Sequence, residues 1–318
     1  MFDFFEEVYK LTRQIPSGKI STYGAIAKAL GDIVAARAVG VALNLNPDPE
    51  YTPCYKIVNS DGTLGGFGLG IEDKIRRLQK DGIKIRDGKI LDFEKVLFED
   101  FRTNYPLKKL RKEQIELSKK IILKDNVGGI ETIAGIDVAY SKINSRKACG
   151  AYVIMDVKNK EIIEYNIIKM DTSFPYVPTY LAYRELPIIE ELFNKMEEKP
   201  DIIMIDGNGI LHPYGIGIAS HAGIILDNPT IGVAKGLLYG RESKESFAGN
   251  VNKIVDDKGK TIGFSIKANE RVKPVFVSPG YKVSFDKTLE VVKKVHKYRI
   301  PEPIRQAHML AKKYIKSL

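Results

Sequence analysis

The chain changes character near residues 100–107. Residues 1–100 contain 14 lysines and arginines against 15 acidic residues, a net charge of −1, whereas the rest of the chain contains 36 against 25, a net charge of +11. A segment of sequence FRTNYP interrupts the preceding pattern there, and a strongly basic helical pattern follows over residues 107–124. A length of 318 residues also suits two compact cores. We therefore predict two domains, at 1–103 and 104–318.

The composition excludes some classes of protein. Apolar residues make up 44% and charged residues 28%, which is typical of globular proteins, and no apolar run is long enough to span a membrane. The first residues do not form a secretory signal, so we expect an intracellular, cytoplasmic location. The two cysteines, Cys54 and Cys149, lie far apart without a CxxC motif, so neither a disulfide framework nor a structural zinc site is predicted. The positive charge of the second part favours an anionic partner such as nucleic acid.

Short helical patterns dominate the first part. Thr22 is suited to cap a helix that runs to about Leu30, and a second helix rich in small residues follows over residues 34–43. Two short helices joined by a tight turn are the outline of a helix-turn-helix. Residues 60–70 are too rich in glycine for regular structure and predict a loop.

Apolar, strand-like runs recur in the second part. They lie at residues 132–140, 150–156, 161–168, 201–205 and 229–234. A long helical pattern over residues 179–196 separates the third run from the fourth. Neighbouring strands followed by alternating helix and strand predict an α/β sheet with helices on its faces.

Cys54 is the first candidate for chemistry. It stands beside Tyr55 and Lys56. A thiolate is a strong nucleophile, and nearby positive charge favours its formation. An isolated cysteine is more often a small buried hydrophobe, so the neighbouring motifs must decide between the two interpretations.

Six motifs surround this cysteine in one order. They are IPSGK at 15–19, TYG at 22–24, AARAVG at 35–40, NP at 46–47, PC at 53–54 and GGF at 65–67. With them, residues 8–91 resemble the catalytic domain of the O6-alkylguanine-DNA alkyltransferases. The resemblance implies a mainly α, winged-helix-like domain that flips a damaged nucleotide out of double-stranded DNA and transfers its alkyl group to Cys54, once per molecule and without a cofactor. It also implies that Arg37 fills the gap in the base stack and that Tyr23 contacts the target phosphate.

The chain departs from that family beside the cysteine. The family usually has a histidine after the cysteine, which relays a proton to a glutamate, whereas this chain has Tyr55 and, at the place of the glutamate, Asp81. A tyrosine titrates at about 10 and a histidine at about 6.5, so a relay through Tyr55 and Asp81 is weaker, and Lys56 is an alternative activator. Two interpretations stay open: alkyl transfer to Cys54, and a damage sensor that binds alkylated DNA without repairing it.

Carboxylates mark a second candidate site. Asp137 lies inside one apolar run and Asp206 ends another, and Glu185 belongs to the helical pattern between them. A carboxylate within an apolar strand is costly unless it is paired or bound to a metal. One such aspartate is usually structural, but three carboxylates suit magnesium or manganese and favour a metal-dependent nuclease.

Further motifs sharpen this prediction. They are AGID at 134–137, FPYVP at 174–178, YRELP at 183–187, DG at 206–207, HP at 212–213, GVAK at 232–235, VSPG at 277–280 and YRIPEP at 298–303. With them, residues 108–312 resemble endonuclease V. The resemblance implies a ribonuclease-H-like fold, binding of Mg²⁺ or Mn²⁺, and cleavage of double-stranded DNA one nucleotide beyond a deaminated base, chiefly hypoxanthine, on its 3′ side.

The second resemblance also implies roles for single residues. Asp137 and Asp206 become metal ligands, and Glu185 a direct or water-mediated ligand. The catalytic helpers near the phosphate are Lys235 and His212. The wedge that separates the strands comprises Pro175, Tyr176, Val177 and Pro178, and the lining of the base pocket includes Leu181 and Gly207. RNA containing inosine is the alternative substrate, because the sequence does not show whether the site tolerates a 2′-hydroxyl. The sequence does not identify protein partners.

Overall fold

The computed structural model describes residues 2–126, 128–243 and 249–317, which form two compact units. The first unit comprises Met1–Lys112 together with Ser173–Pro178, and the second comprises Glu113–Thr172 and Thr179–Leu318. No helix in the described part of the chain is long and apolar enough to cross a membrane.

The first unit is mainly helical. Its helices are α1 (Phe4–Thr12), α2 (Tyr23–Leu30), α3 (Ala36–Asn44), α4 (Ile71–Lys80) and α5 (Phe93–Val96). Its strands have two residues each and are β1 (Ser21–Thr22), β2 (Ile57–Val58), β3 (Ile85–Arg86) and β4 (Lys89–Ile90), where β1 pairs with β2 in parallel and β3 with β4 as a hairpin. Helix α6 (Pro106–Ser118) follows, contains the division between the units, and ends six residues before the predicted end of the basic helix.

The predicted helix pair is confirmed with a shifted second helix. The Oγ1 atom of Thr22 accepts a hydrogen bond from the backbone N–H of Ala25 at 3.0 Å, which caps α2. Gly31 ends α2 with a φ of +111°, a backbone conformation that L side chains rarely adopt. Asp32 then caps a short 3-10 turn, Ile33–Ala35, so α3 begins at Ala36, two residues later than predicted.

One mixed sheet forms the centre of the second unit. Its strands are β5 (Thr132–Tyr140), β6 (Lys147–Asp156), β7 (Ile162–Asp171), β8 (Ile202–Asp206), β9 (Thr230–Ala234), β10 (Arg241–Glu242), β11 (Val251–Val255), β12 (Thr261–Ile266) and β13 (Val275–Tyr281). The spatial order is β10-β11-β12-β13-β9-β8-β5-β6-β7. The pairs β5–β8 and β8–β9 are parallel, and the other pairs are antiparallel. The five predicted strands are therefore confirmed, and β10 to β13 extend the sheet beyond them.

Helices cover both faces of this sheet. They are α7 (Leu181–Asn194), α8 (Ile218–Leu226), α9 (Phe285–Val295) and α10 (Glu302–Ile315). Side chains of β8 alternate between two cores: Ile203 packs with residues of α7 and α8, whereas Ile202 and Met204 pack with residues of α9 and α10. The sheet is thus buried on both sides, which explains why its central strands are continuous apolar runs.

Gly135 shows why the AGID motif contains a glycine. A Cβ atom at this position of β5 would lie 2.1 Å from the backbone carbonyl carbon of Pro303. The start of α10 can therefore approach β5 only where a side chain is absent, and this approach places α10 directly over the strand that carries Asp137.

Candidate active sites

The thiol of Cys54 lies at the start of a 3-10 turn, Cys54–Lys56, in the first unit. The residue is 8% exposed, and its Sγ atom accepts a hydrogen bond from Nδ2 of Asn46 at 3.2 Å. Burial raises the pKa of the Cys54 thiol, while the hydrogen bond from Asn46 and the charges of Lys74 and Arg77 act in the opposite direction. The structure thus holds one buried sulfur atom among groups that favour its ionised form.

Tyr55 and Asp81 are brought together as the resemblance implied. The hydroxyl of Tyr55 donates to Oδ2 of Asp81 at 3.1 Å, and Nζ of Lys56 lies 3.1 Å from the same oxygen. Burial, followed by the charge of Asp81 and this hydrogen bond, raises the pKa of Tyr55 to about 12. Tyr55 is therefore neutral near pH 7, where it can donate a proton in a hydrogen bond but cannot serve as a base.

The proposed DNA-contacting residues of this unit lie on the helix pair. Tyr23 begins α2 and is half-buried, and its hydroxyl oxygen would lie 3.3 Å from a Cβ atom at Gly65 in the glycine-rich loop. Burial and the charge of Cys54 both raise the pKa of Tyr23. Arg37 is exposed on α3, as a group that enters a DNA duplex must be.

The second site is built where β5 and β8 lie side by side. Ile136 pairs with Ile205 in parallel register, so the next residues, Asp137 and Asp206, are neighbours. Side chains alternate along a strand, and Ile136 belongs to the core beneath α7 and α8, so Asp137 points to the opposite face. There Nδ1 of His308, on α10, lies 2.9 Å from Oδ2 of Asp137.

Three ligand atoms converge at this point. One atom each from Asp137, Asp206 and His308 lie within 4.8 Å of one another. Lys235, which follows β9, forms an ion pair with Asp206. Two carboxylates, one imidazole and one ammonium group therefore occupy one end of the parallel strands.

Burial and mutual repulsion shift the titration of these carboxylates. Burial, then the hydrogen bond and charge of Asp137, raise the pKa of Asp206 to about 7. Burial also acts to raise the pKa of Asp137, but hydrogen bonds with His308 and Asp206 and the charge of Lys235 outweigh it, so that pKa is lowered. The pair holds its second negative charge poorly without additional positive charge.

Glu185 lies on α7 and is 8% exposed. The hydroxyl of Tyr140 donates to its Oε1 atom at 3.2 Å. Burial, followed by the charge of Asp137, raises the pKa of Glu185 to about 8. Glu185 is outside the group of three converging ligand atoms, although its titration responds to the charges of Asp137 and Asp206.

The other predicted residues of the nuclease lie in separate places. His212 is buried and lines a cavity of about 320 Å³ together with Ile210 and Tyr239. Leu181 and Gly207 are brought together, since a Cβ atom at Gly207 would lie 3.7 Å from Cδ2 of Leu181.

The predicted wedge packs within the first unit. Phe174 is buried, and its ring centroid lies 5.4 Å from that of Phe4, while the backbone N–H of Phe4 donates to the carbonyl oxygen of Ser173 at 2.9 Å. Val177 is buried as well, whereas Tyr176 is 57% exposed. Pro175 is buried and Pro178 is half-buried, so Tyr176 is the residue of the segment that projects into solvent.

Three residues of these sites were missed from the sequence. His308 is separated from Asp137 by 171 positions, and the only signal was its place on an amphipathic helix beside the buried Ala307 and Ala311. Asn46 was recognised within a motif without a role. Lys74 was not identified as a site residue.

The geometry defines a class of protein: one unit carries a buried nucleophilic thiol beside a helix pair, and the other carries a carboxylate and histidine cluster suited to a metal-dependent nuclease. The family model for endonuclease V matches residues 115–309, and that for the DNA-binding domain of 6-O-methylguanine DNA methyltransferase matches residues 3–83.

Comparisons with whole proteins agree with these two family matches. The chain is 39% identical over 306 residues to a bifunctional methyltransferase/endonuclease of Picrophilus torridus, covering 96% of this chain and 95% of that protein. It is 38% identical over 318 residues to the protein of the same name from Thermoplasma volcanium, covering 99% and 92%. A Ciona intestinalis endonuclease V, solved with a 23mer DNA containing an inosine followed by a ribo-adenosine, superposes with a TM-score of 0.62 at 30% identity, covering 68% of this chain and 99% of that one.

The chain therefore belongs to the family of bifunctional methyltransferase/endonucleases. It is a DNA-binding repair protein that combines a methyltransferase activity with an endonuclease activity of the endonuclease V type, in a two-domain organisation.

Proposed function

We propose that the first unit transfers an alkyl group from the O6 atom of guanine to Sγ of Cys54. The sulfur–carbon bond forms as the carbon–oxygen bond breaks, the thiol gives up its proton, and the leaving guanine takes up one proton, which restores the unmodified base. The observation that carries this proposal is the buried sulfur, which accepts a hydrogen bond from Asn46 and so is held in a fixed direction. Because the thioether is stable, each molecule reacts once.

DNA recognition by this unit is assigned to the helix pair. Exposed Arg37 on α3 is proposed to fill the gap left by the flipped nucleotide, and Tyr23 to contact the target phosphate. The neighbouring β3–β4 hairpin supports a winged-helix-like description of the unit. We place the functional alkyltransferase domain at residues 1–103 and the nuclease domain at 104–318.

The test is incubation with duplex DNA containing O6-methylguanine, followed by mass measurement of the peptide that contains Cys54. We expect one methyl group per molecule on that peptide, and none in Cys54→Ala. Tight binding of the damaged duplex without a mass change would favour the alternative function, a damage sensor. The presence of the thiol at Cys54 argues against that alternative.

We propose that the second unit cleaves DNA on the 3′ side of deaminated bases such as hypoxanthine. Asp137, Asp206 and His308 would hold a divalent metal ion, since their ligand atoms converge and two carboxylates share the site with the single ammonium group of Lys235. The carboxylate oxygens suit Mg²⁺ or Mn²⁺, whereas an imidazole is a ligand more typical of transition metals. When bound, such an ion supplies Lewis acidity toward the phosphate and lowers the pKa of water.

The side chains have distinct roles in this proposal. Lys235 pairs with Asp206 and brings a fixed positive charge to the end of the strands where the phosphate would lie. Glu185, with its raised pKa, is placed to hold or release a proton beside the cluster. His212 is proposed as a further polar helper. The sheet, with three antiparallel strands followed by parallel β8 and β9, supports a ribonuclease-H-like description.

Recognition of the base is assigned to Leu181 and Gly207, which lie together where added side-chain volume would collide with Ile218. Exposed Tyr176, with Pro175, Val177 and Pro178 beside it, is proposed as the strand-separating wedge. The Ciona intestinalis relative was solved with an inosine-containing DNA, which supports hypoxanthine as the target base.

The test uses matched duplexes with and without hypoxanthine, in Mg²⁺, in Mn²⁺ and in a chelator. We expect metal-dependent cutting at one position 3′ of hypoxanthine. Full cutting in the chelator would contradict the proposal. A matched RNA containing inosine tests the alternative substrate. If that RNA were cleaved faster than the DNA, RNA and not DNA would be the main target.

A further inference from the structure

Two lysines are buried near Cys54, and their partners differ. Lys56 follows the cysteine closely in sequence, and its Nζ atom lies 3.1 Å from Oδ2 of Asp81. Its remaining described bonds go to the carbonyl oxygens of Ile15 and Pro16. The positive charge of Lys56 is therefore balanced by the carboxylate of Asp81, which leaves a small net field at the sulfur.

Lys74 has no such carboxylate. It lies on α4 with 0% exposure, and its Nζ atom donates to the carbonyl oxygens of Ile57 at 2.5 Å and Gly66 at 3.2 Å. Among the ion pairs of the described residues, none includes Lys74. An ammonium group buried with carbonyl oxygens alone is costly, so its retention calls for a compensating negative charge.

The surroundings of Lys74 identify that negative charge. Helix α4 packs against the turn Cys54–Lys56, Ile57 directly follows that turn, and Gly66 belongs to the glycine-rich loop. Burial lowers the pKa of Lys74 to about 8, and the charge of Cys54 acts to raise it again. The sulfur of Cys54 is thus the ionisable group whose negative charge, when the thiol loses its proton, interacts with this cation, and the interaction is reciprocal.

We propose that Lys74 is the positioning residue that activates Cys54: it ties the cysteine turn to the glycine-rich loop and supplies the buried positive charge that favours the thiolate. Lys56 instead holds Asp81. This inference deepens the proposed alkyl transfer and rests on it for its biological meaning. Its chemistry concerns the thiol itself, so it can be measured without DNA.

The experiment measures the rate at which iodoacetamide alkylates Cys54 between pH 5.5 and 10.5, by mass spectrometry of the full-length protein. Lys74→Gln keeps hydrogen-bond donors for both carbonyl oxygens but removes the charge, whereas Lys74→Arg keeps the charge. We expect the midpoint of the profile to move upward by about one pH unit or more in Lys74→Gln and to stay near that of the wild type in Lys74→Arg. Lys80→Gln, an exposed change on the same helix, is the matched control.

If Lys74 only held the turn and the loop together, without an electrostatic effect, the pH profile of the iodoacetamide reaction in Lys74→Gln would superimpose on that of the wild type. This result would overturn the proposal. So would a larger shift in Lys56→Gln than in Lys74→Gln. If wild-type protein failed to react with O6-methylguanine DNA while the Lys74→Gln shift was present, the proposed alkyl transfer would fail and the role of Lys74 would stand.

A second measurement does not depend on the folding of Lys74 variants. Cys54→Ser replaces the sulfur by oxygen and removes the thiolate, so the Lys74 amine should lose its negative partner. NMR of the lysine Cε atoms should then show the Lys74 midpoint below that of the wild-type protein. An unchanged midpoint would overturn the proposal.

Discussion

The two candidate active sites differ in the ionisable groups that are buried together. Around Cys54 one ionisable sulfur is buried beside cations, and its neighbours oppose, without cancelling, the rise in pKa that burial causes. Around Asp137 several carboxylates are buried together, and the pKa values of Asp206 and Glu185 rise to about 7 and about 8. The first site places cations beside its sulfur, whereas at the second Lys235 is one positive charge among several carboxylates, and the remaining negative charge suits a metal ion.

The sites also differ in how they are assembled. Asn46, Cys54, Lys74 and Asp81 come from one short stretch of chain, so local turns and one helix bring them together. Asp137 and His308 are 171 positions apart and meet only because α10 packs over β5. A change within one site should therefore leave the chemistry of the other intact, and the following predictions test this difference.

The largest expected effect is the loss of one activity at a time. Asp206→Ala should reduce incision of hypoxanthine DNA below detection, because it removes a carboxylate from the converging cluster and leaves Lys235 without its partner. Methyl transfer to Cys54 should remain unchanged. Incision is measured by gel electrophoresis and transfer by the mass of the protein.

Cys54→Ala is the reciprocal variant. It should abolish transfer while incision proceeds at the wild-type rate, since sulfur takes no part in the nuclease chemistry. Loss of transfer in a folded Asp206→Ala protein would show that the two sites are coupled, and the comparison drawn above would be wrong.

The next effect concerns His308. Its imidazole lies 2.9 Å from Asp137, so His308→Ala should lower incision by about 10- to 100-fold at limiting metal, with partial recovery at high metal concentration. His296→Ala is the control, because the imidazole of His296 forms a hydrogen bond with the backbone carbonyl oxygen of Arg299 and not with Asp137. Equal rates for His308→Ala and wild type across a metal titration would remove His308 from the site.

His308 also shows where sequence reasoning ends. The strands that carry Asp137 and Asp206 were predicted because apolar runs record burial directly, and the helix pair because Thr22 and Gly31 mark helix ends. The resemblance to the alkyltransferases indicated Tyr55 and Asp81, at the places of that family's histidine and glutamate. The place of His308 depends on the packing of α10, and the burial of Lys74 depends on the path of α4, so neither has a local signature.

A smaller effect is expected in the stability of the metal-free protein. The folded-state pKa values of Asp206 and Glu185 are raised, so folding favours their protonated forms, and stability should be lost as pH rises through about 7 and 8. Asp137 acts in the opposite direction, since its pKa is lowered. Thermal unfolding in a chelator should show a decrease in Tm between pH 5 and pH 9 that is weaker in Glu185→Gln. An identical slope in that variant would contradict the assigned titration.

The smallest effect is expected from a change at Tyr55. This prediction tests whether the Cys54 site, unlike the nuclease site, works without a neighbouring group that accepts a proton. Tyr55 donates to Asp81, and its pKa is raised to about 12 by burial and by that carboxylate, so it cannot accept the thiol proton near neutral pH. In Tyr55→Phe, Asp81 keeps Lys56 as its partner, and only one hydrogen bond is lost. Transfer from O6-methylguanine DNA, measured in single-turnover reactions, should therefore slow by about threefold or less. A loss of more than about 100-fold would instead assign Tyr55 to proton transfer, because general acid–base catalysis contributes effects of that size. The Cys54 site would then resemble the nuclease site in relying on a titrating neighbour, and the positive charge of Lys74 would no longer be sufficient to account for its reactivity.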